Sequence, residues 1–390
     1  METLVSAWER CRTYMEGMHY RGYDPYDALC SPLWELPLFR HRVLRRVGQQ
    51  LLLRCPLNLR PLFRVRPGKN PVTLGLALEG YVYAWRSFPE RRPLWETRIQ
   101  VCIAELQRLR SPGWQAAWGY DFPWEARRMS LPAYAPTIVA TGIVTGALFR
   151  AATICQSQPA AQLCLQAADE LIQRFPRSDD GEEMLCWAYS PFDNQRVLNA
   201  TLFGARLCTH AYVLSQREEF REAARRSVRF VLAHQDPRGA FPYAVGDDPR
   251  RWVDHLHTGY VLECLQEYHQ LTGDPTVSEG LQRGWTYYRR VLFTAEGLPR
   301  WRDRQRYPID ASVCAQAIRT LCRFGEESAA VRIARWATEH LQNADGSFAY
   351  RRHRFWTQRT VFMRWSVAWM FVALAELLMH IRLKGHARLD

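Results

Sequence analysis

Apolar and polar positions recur along this chain in two kinds of helical segment. Segments of the first kind carry apolar residues at i, i+3, i+4 and i+7 with charges between them, which is typical of a helix with one buried face. Segments of the second kind are apolar nearly all round, which is typical of a helix buried on both sides. The first kind covers about 37–53, 92–110, 158–175, 217–234, 277–292 and 327–342, and the second about 71–86, 134–150, 197–214, 255–271, 309–323 and 361–383.

The two kinds of segment alternate six times, and the sequence therefore predicts an all-α (α/α)6 toroid, with six inner helices inside six outer ones. Turns rich in glycine and aromatic residues, such as SPGWQAAWGY at 111–120 and QNADGSFAY at 342–350, recur between them. A repeat of roughly 50–65 residues is typical of stacked supersecondary units. We assign residues 37–390 to the toroid and residues 1–36 to an N-terminal helical extension.

Composition narrows the class of protein. The 390 residues are 47% hydrophobic and include 15 tryptophans, enough for a large core. No uninterrupted apolar stretch reaches the ~20 residues of a membrane span. The N-terminus alternates charged and apolar residues, which is not the pattern of a secretory signal. The 11 cysteines include no C-x-x-C pair. We therefore expect a cytoplasmic protein with reduced thiols, no membrane span, no metal and no cofactor.

The net charge of +13 comes almost entirely from arginine, because only two of the 52 cations are lysines. The arginines are spread along outer segments, for example 217–229 and 332–335, rather than gathered in one arm. This distribution argues against a nucleic-acid partner. Two explanations of the positive charge remain, which are a solvated basic surface and attraction to an acidic polymer.

Polar and aromatic residues collect in the loops that precede the inner segments, and such loops meet at one end of a toroid. Tryptophan and tyrosine rings stack on sugars, while carboxylates and arginines bind hydroxyls or uronates. We predict catalytic roles for Asp121, Asp193, Asp254, His257 and Asp310, and substrate binding by Arg60, Trp118, Trp124, Asn199, Tyr260, Arg364 and Trp365.

Structural roles are open for several of these residues. Aspartates at helix starts, such as Asp193, Asp254 and Asp310, also serve as N-caps. Aromatic residues in a loop such as 118–124 more often fill the core than bind a sugar. Arg364 lies among apolar residues and needs a partner, which is either a buried carboxylate or the substrate.

Several segments together resemble uncharacterised proteins of bacterial exopolysaccharide gene clusters, usually labelled polysaccharide-biosynthesis proteins. The matching segments, in chain order, are GYDPYDALCSP (22–32), NLRPLF (58–63), WGYDFPW (118–124), PAYAPTIVATG (132–142), YSPFDNQRVLNATLFGARL (189–207), VDHLHTGYVLECLQEY (253–268), PIDASVCAQAI (308–318) and MRWSVAWMFVALAEL (363–377). The resemblance implies a polysaccharide or oligosaccharide substrate and contact with exopolysaccharide assembly proteins. This chain departs from the family pattern at His255, Leu256 and Ser312.

The toroid is also distantly similar to glucuronyl C5-epimerases, uronate lyases and (α/α)6 glycoside hydrolases, which leaves the reaction open. Hydrolysis needs two carboxylates that flank the bond. Epimerisation or elimination needs a base, a cation to neutralise the substrate carboxylate and a proton donor. His257 or Tyr260 could be that base, with Arg364 or Arg60 as the cation.

Two further alternatives belong to other functional classes. One is a non-catalytic glycan-binding protein that organises a polysaccharide-assembly complex. The other is an enzyme similar to terpene cyclases or prenyltransferases, because the segments at 234–243 and 342–350 are similar to the Q-x3-G-x-W repeats of triterpene cyclases. The chain lacks the D-x-D-D motif that protonates an alkene in those enzymes.

Overall fold

The computed structural model describes residues 2–37, 41–125, 129–179 and 181–386, and it confirms the predicted all-α toroid. Within these ranges, 13 α-helices account for most of the chain. They are α1 (Glu2–Gly17), α2 (Arg42–Arg54), α3 (Pro71–Ser87), α4 (Arg92–Arg108), α5 (Ile138–Ile154), α6 (Gln158–Arg174), α7 (Leu198–Ser215), α8 (Glu218–Ala233), α9 (His255–Thr272), α10 (Ser278–Val291), α11 (Ala311–Arg323), α12 (Glu327–Leu341) and α13 (Trp369–His386).

The odd-numbered helices from α3 to α13 form a closed inner ring. Each packs against the next, and α13 packs back against α3. Glycines permit this close approach, since a Cβ atom at Gly142 of α5 would lie 2.7 Å from the Cβ atom of Phe203 in α7. At Gly259 of α9 a Cβ atom would lie 2.6 Å from the Cγ atom of Gln316 in α11.

The sixth outer helix is α1, whereas the sequence pattern placed 37–53 in that position. Trp8 of α1 is fully buried and stacks on Phe88 and on Phe371 of α13, with ring centroids 5.4 and 5.6 Å apart. By contrast, α2 buries only Gln49 and Leu52. The larger apolar face of α1 therefore occupies the ring, and α2 lies against the loops at one end of the toroid.

Short strands join the loops that precede the inner helices. Three antiparallel pairs are β1 (Arg21–Gly22) with β2 (Gly68–Lys69), β3 (Trp124–Glu125) with β4 (Ser130–Leu131), and β5 (Arg177–Asp179) with β6 (Leu185–Trp187). A three-stranded antiparallel sheet has the order β7 (Ile309–Asp310), β8 (Ala349–Arg352) and β9 (Thr357–Val361). These pairings hold long loops in place at one end of the ring.

A buried network of ion pairs links the inner helices below that end. Arg319 of α11 donates to Glu79 of α3 at 2.7 Å and contacts Glu376 of α13 at 2.8 Å. Arg150 of α5 contacts Glu79 at 3.0 Å and donates to Glu267 of α9 at 3.0 Å. The pairing of buried charges across the ring fixes the relative positions of these helices.

Among the described residues, one helical stretch, 363–384, is long and apolar enough to cross a bilayer, although the sequence showed no uninterrupted apolar run of that length. It comprises a π-helical turn, Met363–Ala368, and most of α13, and 78% of its most apolar window is buried inside the protein. Its apolar character is that of an inner helix of the toroid.

Candidate functional site

A cavity of about 250 Å³ opens at the end of the toroid where the inner helices begin. Ten of its 17 lining residues are phenylalanine, tyrosine or tryptophan. The lining residues are Tyr26, Tyr120, Phe122, Trp124, Val139, Ile143, Tyr189, Asn199, Tyr243, Arg250, Trp252, Leu256, His257, Tyr260, Arg364, Trp365 and Trp369. A concave, aromatic site with a few polar groups suits a sugar ring.

The aromatic walls are held by ring–ring contacts. Tyr243 and Trp252 stack with centroids 5.2 Å apart and planes 17° from parallel. Trp124 meets Tyr189 edge-on at 6.0 Å. Because each ring is fixed by another, the cavity presents preformed apolar surfaces to a ligand.

The central polar feature of the cavity is a pair formed by His257 and Asp254. Asp254 is the N-cap of α9, and its Oδ1 accepts a hydrogen bond from the backbone N–H of His257 at 2.9 Å. The other carboxylate oxygen, Oδ2, lies 2.7 Å from Nδ1 of His257 and accepts from Nε1 of Trp252 at 3.1 Å. The helix start thus places carboxylate and imidazole together, as their three-residue spacing predicted.

The electrostatics of this pair suit proton transfer. Burial by itself raises the pKa of Asp254, but the imidazole and backbone N–H of His257, together with the charge of Arg302, more than offset it, so the pKa of the carboxyl lies below its usual value. An ionised Asp254 holds the proton of a neutral His257 on Nδ1 and leaves Nε2 as the free base. The side chain of His257 is 29% exposed and lines the cavity, so a ligand can reach it.

Two more predicted residues add polar groups to the lining. Asn199, in the first turn of α7, is buried, and its Oδ1 has no hydrogen-bond partner among the described residues. A buried acceptor without a donor costs free energy, which a ligand hydroxyl would recover. Tyr260 lies one turn beyond His257 on α9, and burial raises the pKa of its phenol well above the usual value, so it is a hydroxyl donor at neutral pH.

The two arginines of the cavity already have carboxylate partners. Arg364 donates from Nε and Nη2 to Asp24 at 2.6 and 2.8 Å, and its guanidinium lies 4.9 Å from the centroid of Tyr120. Arg250 donates to Asp248 at 2.6 Å. The buried salt bridge considered for Arg364 from the sequence is therefore present, with Asp24 as the partner.

Besides Asp254, five predicted site residues lie outside the cavity lining, and Asp310 and Asp193 are two of them. Asp310 is fully buried, its Oδ2 accepts a hydrogen bond from Nη2 of Arg351 at 3.0 Å, and its Oδ1 lies 2.9 Å from Nε of Arg351 in an ion pair. Burial raises the pKa of Asp310 to about 6, although Arg351 acts in the opposite direction. Asp193 accepts from the backbone N–H groups of Tyr189 and Gln195 at 3.2 and 2.9 Å. Asp310 anchors β8 and Asp193 orders its own loop.

The other three are Asp121, Trp118 and Arg60. Asp121 lines a neighbouring cleft and accepts from Asn70 at 2.6 Å, and burial together with the charge of Asp24 raises its pKa to about 6. Trp118 is fully buried and donates to the carbonyl of residue 106 at 2.8 Å. Arg60 is 1% exposed and is ion-paired at 2.6 Å with the carboxylate of residue 27. Their contacts hold the loops around the cavity.

The sequence analysis missed several cavity residues. Tyr243, Arg250 and Trp252 lie in the loop that precedes α9, close to the His257 motif. Tyr26, which lines the cavity, and Asp24, the partner of Arg364, belong to the N-terminal segment that the sequence analysis assigns to an extension. The first group could have been found from its position in a loop that precedes an inner helix. Asp24 and Tyr26 lie in the segment GYDPYDALCSP (22–32), which carries the family resemblance but has no feature that places it at the cavity.

The toroid is shared with solved structures of enzymes that act on sugars. A cellobiose 2-epimerase from Bacillus thermoamylovorans matches with a TM-score of 0.66 and 11% identity over 98% of this chain and 100% of that one. A family 76 glycoside hydrolase (mannosidase) from Bacteroides thetaiotaomicron matches with a TM-score of 0.62 and 12% identity, with the same coverage. A cellobiose 2-epimerase from Spirochaeta thermophila gives 0.59 and 16% over 83% of this chain and 89% of that one. No model of a known protein family matches the chain, and no curated protein sequence does. At these identities the likeness shows a common fold.

Proposed function

We propose that this protein is a carbohydrate-active enzyme that moves a proton at a carbon atom of a sugar, as in epimerisation or elimination. The observation that carries the proposal is the His257–Asp254 pair, with Nδ1 and Oδ2 2.7 Å apart, at the wall of an aromatic cavity. The fold shared with sugar epimerases and glycoside hydrolases supports a glycan as the substrate.

In this mechanism Nε2 of His257 takes a proton from a carbon next to a carbonyl or carboxyl group. The C–H electron pair moves into the adjacent carbon–oxygen system, and the negative charge develops on that oxygen. Ionised Asp254 stabilises the imidazolium that forms, as a carboxylate does for a catalytic histidine. A proton delivered from water to the opposite face of the carbon gives the epimer, and His257 then releases its own proton to solvent. Alternatively, a leaving group departs from the next carbon with the proton that His257 holds, which gives the elimination product.

Hydrolysis is less well supported by the cavity. A glycoside hydrolase of the usual kind places two carboxylates beside the scissile bond. Of the cavity-lining residues in the described part of the chain, none is an aspartate or a glutamate, and Asp254 lies behind His257. The predicted aspartates Asp121, Asp193 and Asp310 have other partners, as described above.

The identity of the sugar and the cellular context are finer proposals. The resemblance to exopolysaccharide gene-cluster proteins supports a glycan of bacterial exopolysaccharide synthesis and contact with assembly proteins. The free cysteines support a cytoplasmic location. The argument for a uronate substrate depends on the net basic charge of the whole chain, because both arginines of the cavity are already paired with carboxylates of the protein. A neutral sugar is therefore the better match to the cavity itself.

The test is to incubate the protein with neutral and uronate-containing oligosaccharides and to follow each sugar by NMR. The proposal expects a new epimer or an unsaturated sugar with at least one substrate, and no product with His257→Ala. If native protein binds a glycan and leaves it unchanged, the protein is the non-catalytic binder considered above. If a product forms at the same rate without His257, the assigned base is wrong.

A further inference from the structure

The segment that surrounds α2 has an exposed surface unlike the rest of the molecule. Of 14 large hydrophobic side chains that are exposed among the described residues, eight lie between 33 and 62. They are Leu33, Leu36, Val43, Leu44, Val47, Leu51, Leu57 and Leu62. Clustered exposed apolar residues mark a surface that another body covers.

The same segment is strongly basic. Residues 33–62 contain six arginines and no lysine, and their one acidic residue is Glu35. On α2 the apolar side chains Val43, Val47 and Leu51 follow one another at i, i+4 and i+8, and Val43 and Leu51 are 60% and 65% exposed. The helical period places Arg46 and Arg54, both exposed, beside this stripe. We call Val43, Leu44, Val47, Leu51, Arg46 and Arg54 the α2 face.

An apolar cleft of about 600 Å³ adjoins the α2 face. Its lining includes Leu33, Trp34, Leu51, Leu59 and Phe63. Such a cleft offers space for part of an acyl chain or for an inserted apolar group. The face and the cleft together form an apolar surface bordered by arginines.

We propose that the α2 face binds the surface of an anionic phospholipid bilayer. A helix with an apolar stripe and arginines beside it lies in a membrane interface, with its apolar side chains in the acyl boundary and its cations on lipid phosphates. A second copy of this chain is a poor occupant, because a two-fold interface would bring the same arginines together, and the segment has only one acidic residue, Glu35, to match them.

The position of the face relative to the cavity gives this binding a consequence. Arg42 of α2 donates to Glu125 at 3.2 Å, and Gln49 forms hydrogen bonds with the backbone of Glu125 at 3.2 and 3.4 Å. The neighbouring residue, Trp124, lines the cavity. Membrane binding would hold the cavity beside the lipid headgroups, where a lipid-linked glycan would be presented. This consequence rests on the proposed function, whereas the binding itself does not.

The experiment measures co-flotation of the full chain with vesicles of phosphatidylcholine alone or with about 30% phosphatidylglycerol. We expect binding to the anionic vesicles that weakens as salt is raised. Arg46→Glu/Arg54→Glu should lower the affinity about 25-fold or more, because each cation near an anionic surface contributes about fivefold. Val47→Ser/Leu51→Ser should lower it about tenfold or more through lost apolar insertion.

Matched controls lie elsewhere on the surface. Phe355→Ser removes an apolar side chain that is 82% exposed, and Arg335→Glu reverses an exposed charge on α12. Both should bind vesicles like the native chain. Equal losses in the controls, equal binding to neutral vesicles or no binding to either would overturn the proposal. So would a dimer that dissociates when the α2 face is changed, since the face would then join two copies.

Discussion

Removal of the His257 imidazole is the sharpest perturbation of the proposed chemistry. The side chain is 29% exposed and pairs with Asp254, so His257→Ala should lower the free energy of unfolding by about 1–3 kcal/mol, the usual cost of leaving a buried group without its partner. A positioned general base contributes about 10²- to 10⁴-fold to turnover, which corresponds to roughly 3–5 kcal/mol of transition-state stabilisation. We therefore expect turnover to fall at least about 100-fold while the fold is retained.

Asp254→Asn tests the orienting role of the carboxylate. Asparagine retains an oxygen that can accept from the backbone N–H of His257, and it caps helices about as well as aspartate. In the native protein Oδ2 accepts hydrogen bonds from Nε1 of Trp252 and from Nδ1–H of His257. In the variant an NH₂ group, which is itself a donor, would face these two donors. The imidazole must then take the other tautomer, with its proton on Nε2. Nε2 can therefore no longer accept a proton from the substrate. We expect a loss of turnover similar to that of His257→Ala.

The assay compares the initial rate per folded molecule, with the folded fraction measured by circular dichroism and thermal unfolding. His269→Ala is the matched control, because His269 is on the same helix at its far end and its Nδ1 contacts the carbonyl of residue 274. This control should keep native turnover. Survival of turnover in His257→Ala, or a fall that follows the melting temperature alone, would refute the assignment of His257 as the base.

Other predictions concern stability, pH and charge. Glu79→Gln leaves Arg319 and its neighbours without a matching charge, so the free energy of unfolding, measured by chemical denaturation, should fall by about 3–5 kcal/mol. The surface substitution Glu222→Gln should lower it by less than about 1 kcal/mol. Equal losses in the two variants would contradict the role of the buried network. The pKa of Asp121 is raised to about 6, so its stabilising contribution is complete below the unfolded value of about 3.9 and is lost as pH rises through 6. Asp121→Asn should therefore be up to about 3 kcal/mol more stable than native protein at pH 8 and similar at pH 4. A stability difference that does not change with pH would contradict this account. If the guanidinium of Arg364 contacts the substrate, Arg364→Gln should lower the affinity for a uronate more than the affinity for its neutral analogue, as measured by calorimetry. Equal losses of affinity would show that Arg364 only forms the ion pair with its carboxylate partner.

The helices could be predicted from the sequence because the apolar period is a local property. The predicted inner segment 255–271, for example, is observed as His255–Thr272, and 71–86 as Pro71–Ser87. The choice of the sixth outer helix was not local. Both α1 and α2 are amphipathic, and the contact that decides between them joins Trp8 to Phe371 at the other end of the chain.

The site was only partly predictable for a similar reason. An aspartate before an inner helix has the same sequence signature whether it orients a base or anchors a strand. Asp254 lies beside His257, whereas Asp310 has a nearly identical position on α11 but is paired with Arg351 of β8. The partner decides the role, and Arg351 lies 41 residues further along the chain.

The central claim is proton transfer at a sugar carbon, and deuterium exchange measures it most directly. A responsive glycan is incubated with the protein in heavy water, and the recovered sugar is analysed by proton NMR and mass spectrometry. The account predicts that deuterium enters a carbon-bound position with native protein, or that the carbon-bound proton is lost in an unsaturated product, and that His257→Ala abolishes both. Glycosidic hydrolysis with every carbon-bound proton retained would contradict it.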